Sequence, residues 1–222
     1  MGYKNALKRL LPESLIESTR PLRAYFAPQR RFDRRFGVDT TGYIEPQDLG
    51  TAEASPEETG GYEPTPRAAF ARIVKSLGLD YSRYTFVDMG SGKGAVLLYA
   101  AGFPFKQIIG VEFSPALHAI AERNIESYRG TRVCAIKNLR MNATDFEPPA
   151  GPTVFFFFNP FKGRTLETVC NKIERAVVSA PDRDVLVIYY HTESRHPVFD
   201  RAARLETVRR DADHTLYRGR RV

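Results

Sequence analysis

The sequence predicts an α/β fold in which a mostly parallel sheet is covered on both faces by helices and closed by a C-terminal antiparallel hairpin. Three observations lead there. From residue 84 onward, short apolar runs alternate with segments of helical character, the pattern of strands buried on both faces. The first of these runs leads through Asp88 into Gly90-x-Gly92-x-Gly94, and an apolar helix follows at once. Glycines at this spacing let the backbone turn tightly and leave it bare toward a ligand. The last thirty residues alternate in character around Asp211-Ala212-Asp213, which suggests two strands joined by a turn.

Taken in order, residues 1–36 read as one or two short helices broken by Pro12, Pro21 and Pro28, with Leu7, Leu10, Leu11, Leu15 and Ile16 near one face. This segment is expected to cap the main domain. Residues 37–61 are acidic and rich in Gly, Thr and Pro, a composition suited to a lid or linker. Thr65 is a candidate N-cap with Pro66 in the first turn of a helix over 67–77, and Gly78 stops it. Strands are expected near 84–88, 107–112, 132–138, 153–158 and 184–190. Helices are expected near 94–101, 115–128 and 164–180, the second started by Ser114-Pro115 and followed by Gly130. The hairpin strands fall at 204–209 and 215–220. The division is therefore a basic helical extension and acidic lid or linker at 1–61, then a catalytic-type domain at 62–222.

Composition narrows the class. A chain of 222 residues with 42% hydrophobic content can bury one substantial core. No apolar run is long enough to cross a bilayer, and the N-terminus lacks a signal-peptide pattern. Cys134 and Cys170 show neither metal-ligand spacing nor a disulfide framework, so no metal site and a reduced, cytoplasmic setting are expected. The net charge of +7 is uneven: basic ends flank an acidic 37–63 stretch that holds no Lys or Arg. The N-terminal cluster Arg30-Arg31 and Arg34-Arg35 is interleaved with Phe32 and Phe36. Solvated surface charge accounts for it most simply, while a nucleic-acid or acidic-protein partner is the functional alternative.

Chemistry concentrates at the glycine loop. Glu112 ends the second apolar strand, where an acid grips a nucleotide ribose. A dinucleotide site would space its glycines as Gly-x-Gly-x-x-Gly; here the third comes one residue early. Asp88 would repel a pyrophosphate but suits a ligand carrying an ammonium group. Lys93 does not complete a phosphate-binding loop, for the spacing is wrong, and reads as decoration.

Asp88-x-Gly90-x-Gly92-x-Gly94 resembles motif I of the class I, seven-strand, S-adenosylmethionine (SAM) methyltransferases, and residues 62–220 follow that family's order of elements. The resemblance implies a Rossmann-like sheet, SAM as cofactor and methyl transfer. It implies Asp88 near the methionine amino group, Gly90, Ser91, Gly92 and Gly94 against the methionine and ribose, and Glu112 on the ribose hydroxyls. Asp145 would take the adenine amino group, or Asn142 or Thr144 in its place, with Phe113 or Phe146 on the ring. Tyr62-Glu63-Pro64-Thr65 is similar to a loop that folds over SAM in some seven-strand protein-lysine methyltransferases. Tyr62, Glu63 and Thr65 are thus further cofactor candidates.

Asn159-Pro160-Phe161 is similar to the Asp/Asn-Pro-Pro-Tyr/Phe motif of amino-methyltransferases but has one proline, which brings the aromatic one position early. It supplies catalytic candidates, with Asn159 also near the cofactor, and His191 is a candidate proton acceptor at the end of the fifth strand beside Tyr189 and Tyr190. His118, His196 and His214 show no constellation. The expected function is SAM-dependent N-methylation of a protein side-chain amine such as lysine. RNA or DNA methylation, a small-molecule acceptor, or a catalytically inactive SAM-binding regulatory module are the alternatives. The methyl acceptor itself is not written in the sequence.

Overall fold

The computed structural model describes residues 20–49, 60–180, 182–190 and 197–220. Within them, β1 (Thr85–Met89), β2 (Gln107–Glu112), β3 (Ile136–Arg140), β4 (Thr153–Phe158), β5 (Val185–Tyr190), β6 (Leu205–Arg210) and β7 (His214–Gly219) form one sheet in the order β3-β2-β1-β4-β5-β7-β6. The first five strands are parallel; β7 runs antiparallel to both β5 and β6. The closing hairpin read from the sequence is therefore present. His214, unremarkable in the sequence, is fully buried at its turn between Asp211 and Asp213.

Alternation along each strand sorts the core into two layers, because successive side chains point to opposite faces. Phe86, Ile108, Phe156 and Ile188 face α2 (Arg67–Ser76) and α3 (Ala95–Ala100). Val87, Ile109, Phe155 and Val187 face α5 (Gly163–Ser179) and Phe199 of α6 (Pro197–Arg201). The remaining helix, α4 (Pro115–Ser127), lies beside β3 and β2. β1, β4 and β5 are buried almost throughout, which explains their unbroken apolar runs.

Three expectations need correction. The third strand begins at Ile136 and not near 132, because it is the sheet's edge and pairs in register with β2 from Ile108↔Ile136 to Glu112↔Arg140. Val133, inside the expected run, is 53% exposed and donates its backbone N–H to the Ala101 carbonyl. Thr65 does not cap α2: Pro66 occupies the cap in extended conformation, with no side-chain cap bond, and Thr65 is buried. Pro28 does not break the N-terminal helix, since α1 (Arg20–Phe36) runs through it. A proline inside a helix costs about 3 kcal/mol, and the burial of Phe26, Gln29 and Phe32 along one side of α1 offsets it. The apolar positions from Leu7 to Ile16 lie outside the described residues.

Of the segment expected to cap the domain, the described part is α1, whose Phe32 joins the same core layer as Phe70 and Tyr99. Beyond it the chain is held closely. Asp33 accepts from the backbone and hydroxyl of both Thr40 and Thr41, and Ile44 and Tyr62 exchange backbone hydrogen bonds as an antiparallel bridge. Residues 37–49 are thus a strap tied to the domain. Among the described residues no helix is long and apolar enough to cross a membrane, and no group of His, Cys, Asp and Glu could hold a metal ion.

Candidate functional site

The strand order reverses beside β1, and in open α/β sheets ligands lie in the crevice outside the carboxyl ends of the strands at that point. Here a cavity of about 250 Å³ opens where β1, β2 and β4 end, room for an organic ligand of moderate size rather than a few waters. Leu49 of the strap and residues 60–65 also line it.

The glycine loop forms the floor. Gly90 and Ser91 donate their N–H groups to the Val111 carbonyl at 2.9 and 3.0 Å, which draws the loop toward β2. Gly90 has φ 82°, and a Cβ there would lie 2.3 Å from Cβ of Pro160. At Gly92 (φ 55°) a Cβ would lie 2.4 Å from the Tyr62 ring. Positive φ and close packing both require glycine at these two positions.

Two carboxylates enter the same cavity. Asp88 is 4% exposed and Glu112 is 7% exposed. Glu112 is held from both sides: the N–H of Gly92 donates to one carboxylate oxygen and the N–H of Ser114 to the other, each at 2.7 Å. Burial raises its pKa, and these backbone bonds oppose the rise without cancelling it. Asp88 lies well above the ordinary carboxylate range, through burial first and then the charge of Glu112. Among the described residues nothing donates a hydrogen bond to the Asp88 carboxylate, and no cation pairs with it. A buried carboxylate in that state calls for a cationic or hydrogen-bond-donating ligand.

The sequence candidates separate cleanly. Tyr62, Glu63, Thr65, Asp88, Gly90, Ser91, Gly92, Glu112 and Phe113 all line the cavity. Gly94 does not; it caps α3 in left-handed conformation, packed on Ala121. Asp145 is exposed and off the wall, and Phe146 is in the core. Asn142 and Ala143 occupy that part of the wall instead, with Met141 beside them. Pro160 and Phe161 line the cavity, whereas Asn159 stands behind them at φ 44°. Its side-chain carbonyl accepts from the Tyr189 hydroxyl at 2.9 Å, and the Pro160 carbonyl accepts from the Gly60 N–H at 2.9 Å. His191 lies outside the described residues.

Sequence reasoning missed Leu49, Leu117, Phe158 and Thr165 on the wall. Leu49 carries no local signal: it arrives because the Ser114 hydroxyl donates to its carbonyl at 2.9 Å, across 65 residues of chain.

Lys93 is not decoration. It is 7% exposed, and its ammonium donates to the Thr41 carbonyl at 2.8 Å and pairs with Asp39 at 3.3 Å. It also lies 5.5 Å from the centroid of the Tyr62 ring. Lys93 therefore fastens the strap to the glycine loop. Asp39 is largely exposed, so screening discounts that pair; the bond to the carbonyl is the stronger element, worth about 1.5–3 kcal/mol. Lys93→Met is expected to raise amide hydrogen exchange across 39–45 and 60–65 while the sheet strands stay protected. Unchanged exchange there would show that Tyr62 and Ile44 hold the strap without Lys93.

The sequence matches no protein-family model and no curated protein sequence. Among solved structures, an Escherichia coli protein, yhhF, assigned as a methyltransferase, superposes with a TM-score of 0.54 at 19% identity, over 74% of this chain and 91% of that one. A Listeria monocytogenes protein assigned as an N6-adenine-specific DNA methylase gives 0.52 at 14% identity, over 81% of this chain and 56% of that one. The mitomycin 7-O-methyltransferase MmcR gives 0.50 at 16% identity, over 70% and 54%. This chain thus spans little more than half the length of the last two. It has the seven-strand, Rossmann-like fold of the class I methyltransferases, a fold shared by proteins with very different acceptors.

Proposed function

We propose that this chain, built on the class I methyltransferase fold, is a SAM-dependent enzyme that methylates a nitrogen, with a protein side-chain amine such as lysine as acceptor. The observation that carries the cofactor reading is Asp88: a buried carboxylate on the cavity wall beside a bare glycine loop, with no hydrogen-bond donor among the described residues. Glu112 has both oxygens engaged by backbone N–H groups, and a carboxylate's roughly four acceptor sites still leave room for a ribose hydroxyl. Phe113, Leu117, Met141 and Asn142 offer an apolar slot with one amide for an adenine. Asn142 thus replaces Asp145 in the proposed set. When bound, SAM supplies an activated methyl group, so the protein's task is chiefly to hold the acceptor in line with it.

The other end of the cavity supports the amine reading. Glu63, Phe158, Pro160, Phe161 and Thr165 combine one carboxylate with aromatic faces, a setting that accepts a cationic amine. Glu63 also accepts from the Tyr25 hydroxyl at 2.5 Å. An amine must be neutral to react, and Glu63 is the carboxylate placed to take its proton. Asn159 acts as a positioning residue: its left-handed backbone and its bond to Tyr189 set Pro160 and Phe161 on the wall. An intact Asp88, glycine loop and Glu112 favour an active enzyme over a binding module.

Tritium-labelled SAM incubated with the protein and an extract of cells lacking it tests the acceptor. Labelled methyllysine after hydrolysis supports the reading, and label confined to methylated nucleosides overturns it. Asn159→Ala is then expected to lower kcat by about tenfold or more, the loss from an acceptor displaced by an ångström or so, with the SAM Kd unchanged. Equal weakening of both would make the turn purely structural.

A further inference from the structure

One face of the molecule gathers arginines that no carboxylate among the described residues pairs with. α1 turns Phe26, Gln29 and Phe32 inward and leaves Arg31, Arg34 and Arg35 exposed. The chain leaving α4 meets the end of α1: the Arg129 N–H donates to the Phe36 carbonyl at 3.0 Å. The Arg129 side chain lies against Gly37, where a Cβ would be 3.2 Å from Nε. The Arg35 guanidinium sits 5.2 Å from the Phe36 ring centroid, and that of Arg67 sits 5.6 Å from the Phe32 ring. Both rings contact Tyr128, at 6.2 Å from Phe32 and 5.3 Å from Phe36. Burial raises the pKa of the Tyr128 hydroxyl, and the charges of Arg67 and Arg132 oppose that rise. Arg35, Arg67, Arg129 and Arg132 therefore lie at one aromatic cluster, and Arg31 and Arg34 add two more exposed arginines on the same helix as Arg35.

Among the described residues none of the six makes an ion pair or hydrogen bond of its side chain. Elsewhere Arg72, Arg210, Arg218 and Lys172 each meet a carboxylate. The acids nearest the cluster in sequence do not neutralise it: Asp33 serves Thr40 and Thr41, Asp39 pairs with Lys93, and exposed Glu126 makes no ion pair among the described residues. Like charges at this density repel one another until an anion arrives. All six are arginine, whose planar fork binds phosphate in a bidentate way.

We propose that this face binds the phosphate backbone of nucleic acid. It rests on no assumption about the methyl acceptor, and an acidic protein is the competing occupant. The test is fluorescence anisotropy of the full chain with a fluorescein-labelled RNA of mixed sequence. With four phosphates contacted, the slope of log affinity against log salt is about −3, so binding weakens about 50-fold between roughly 50 and 200 mM salt. Arg34→Glu, Arg35→Glu, Arg129→Glu and Arg132→Glu together should cost more than about tenfold at low salt. The same charge change at Lys75, Arg83, Arg175 and Arg201 should cost less than about threefold. If the fourfold variant fails to fold, the neutral pairs Arg34→Gln with Arg35→Gln and Arg129→Gln with Arg132→Gln should each reduce the slope by about one or more. No RNA binding by the wild type, equal loss in the control, or equal affinity for a polyglutamate peptide would each overturn the assignment.

Discussion

Asp88→Asn is expected to raise the melting temperature of the protein alone and to weaken SAM binding at the same time. The isolated charge of Asp88 is costly, so neutralising it should stabilise the fold by about 1–3 kcal/mol, several degrees for a chain of this size. The cofactor ammonium would lose a charged partner worth about 1.5–3 kcal/mol, ten- to a hundredfold in affinity. The pH dependence has a definite sign. Because the folded-state pKa of Asp88 lies well above its unfolded value, the folded state binds more protons between the two. Stability therefore falls as pH rises through that window. The protein without cofactor should gain stability on mild acidification, and Asp88→Asn should lose much of that gain. Thermal melts across pH, with and without SAM, check all three effects. A variant that melts lower and binds SAM normally would remove Asp88 from the site.

Glu112→Ala is expected to do the opposite to the fold and the same to the cofactor. Its carboxylate satisfies the buried N–H groups of Gly92 and Ser114. Orphaning both costs about 2–4 kcal/mol, a fall on the order of 10 °C in melting temperature. The loop that receives the cofactor loosens with it, so SAM binding should drop below detection by calorimetry. Glu112→Gln keeps one acceptor and should fall between. Loss of stability without loss of SAM binding would leave Glu112 as a brace for the loop alone.

The contrast between these carboxylates shows what the sequence could and could not convey. Asp88 and Glu112 were legible because each stands at the C-terminal end of an apolar strand, β1 or β2, so the strand's end fixes where the acid stands. The same logic placed β1, β2, β4 and β5, whose buried runs are dictated by cover on both faces. It failed at β3, an edge strand half open to solvent, where register with β2 decides the ends and hydrophobicity does not. It failed again at Asp145, which a single 3-10 turn from Ala143 to Asp145 carries away from the cavity while Asn142 caps that turn. Lys93 was misread because its partners, Asp39 and Thr41, lie more than fifty residues away in a segment without periodicity. Long-range strapping of that kind leaves no local pattern.

The measurement that tests the central claim most directly is calorimetric titration of the purified chain with SAM, its demethylated product and NAD. Micromolar binding of SAM and of the product, with no heat from NAD, is the predicted result. No binding of SAM, or binding of NAD in its place, would contradict the account at its root.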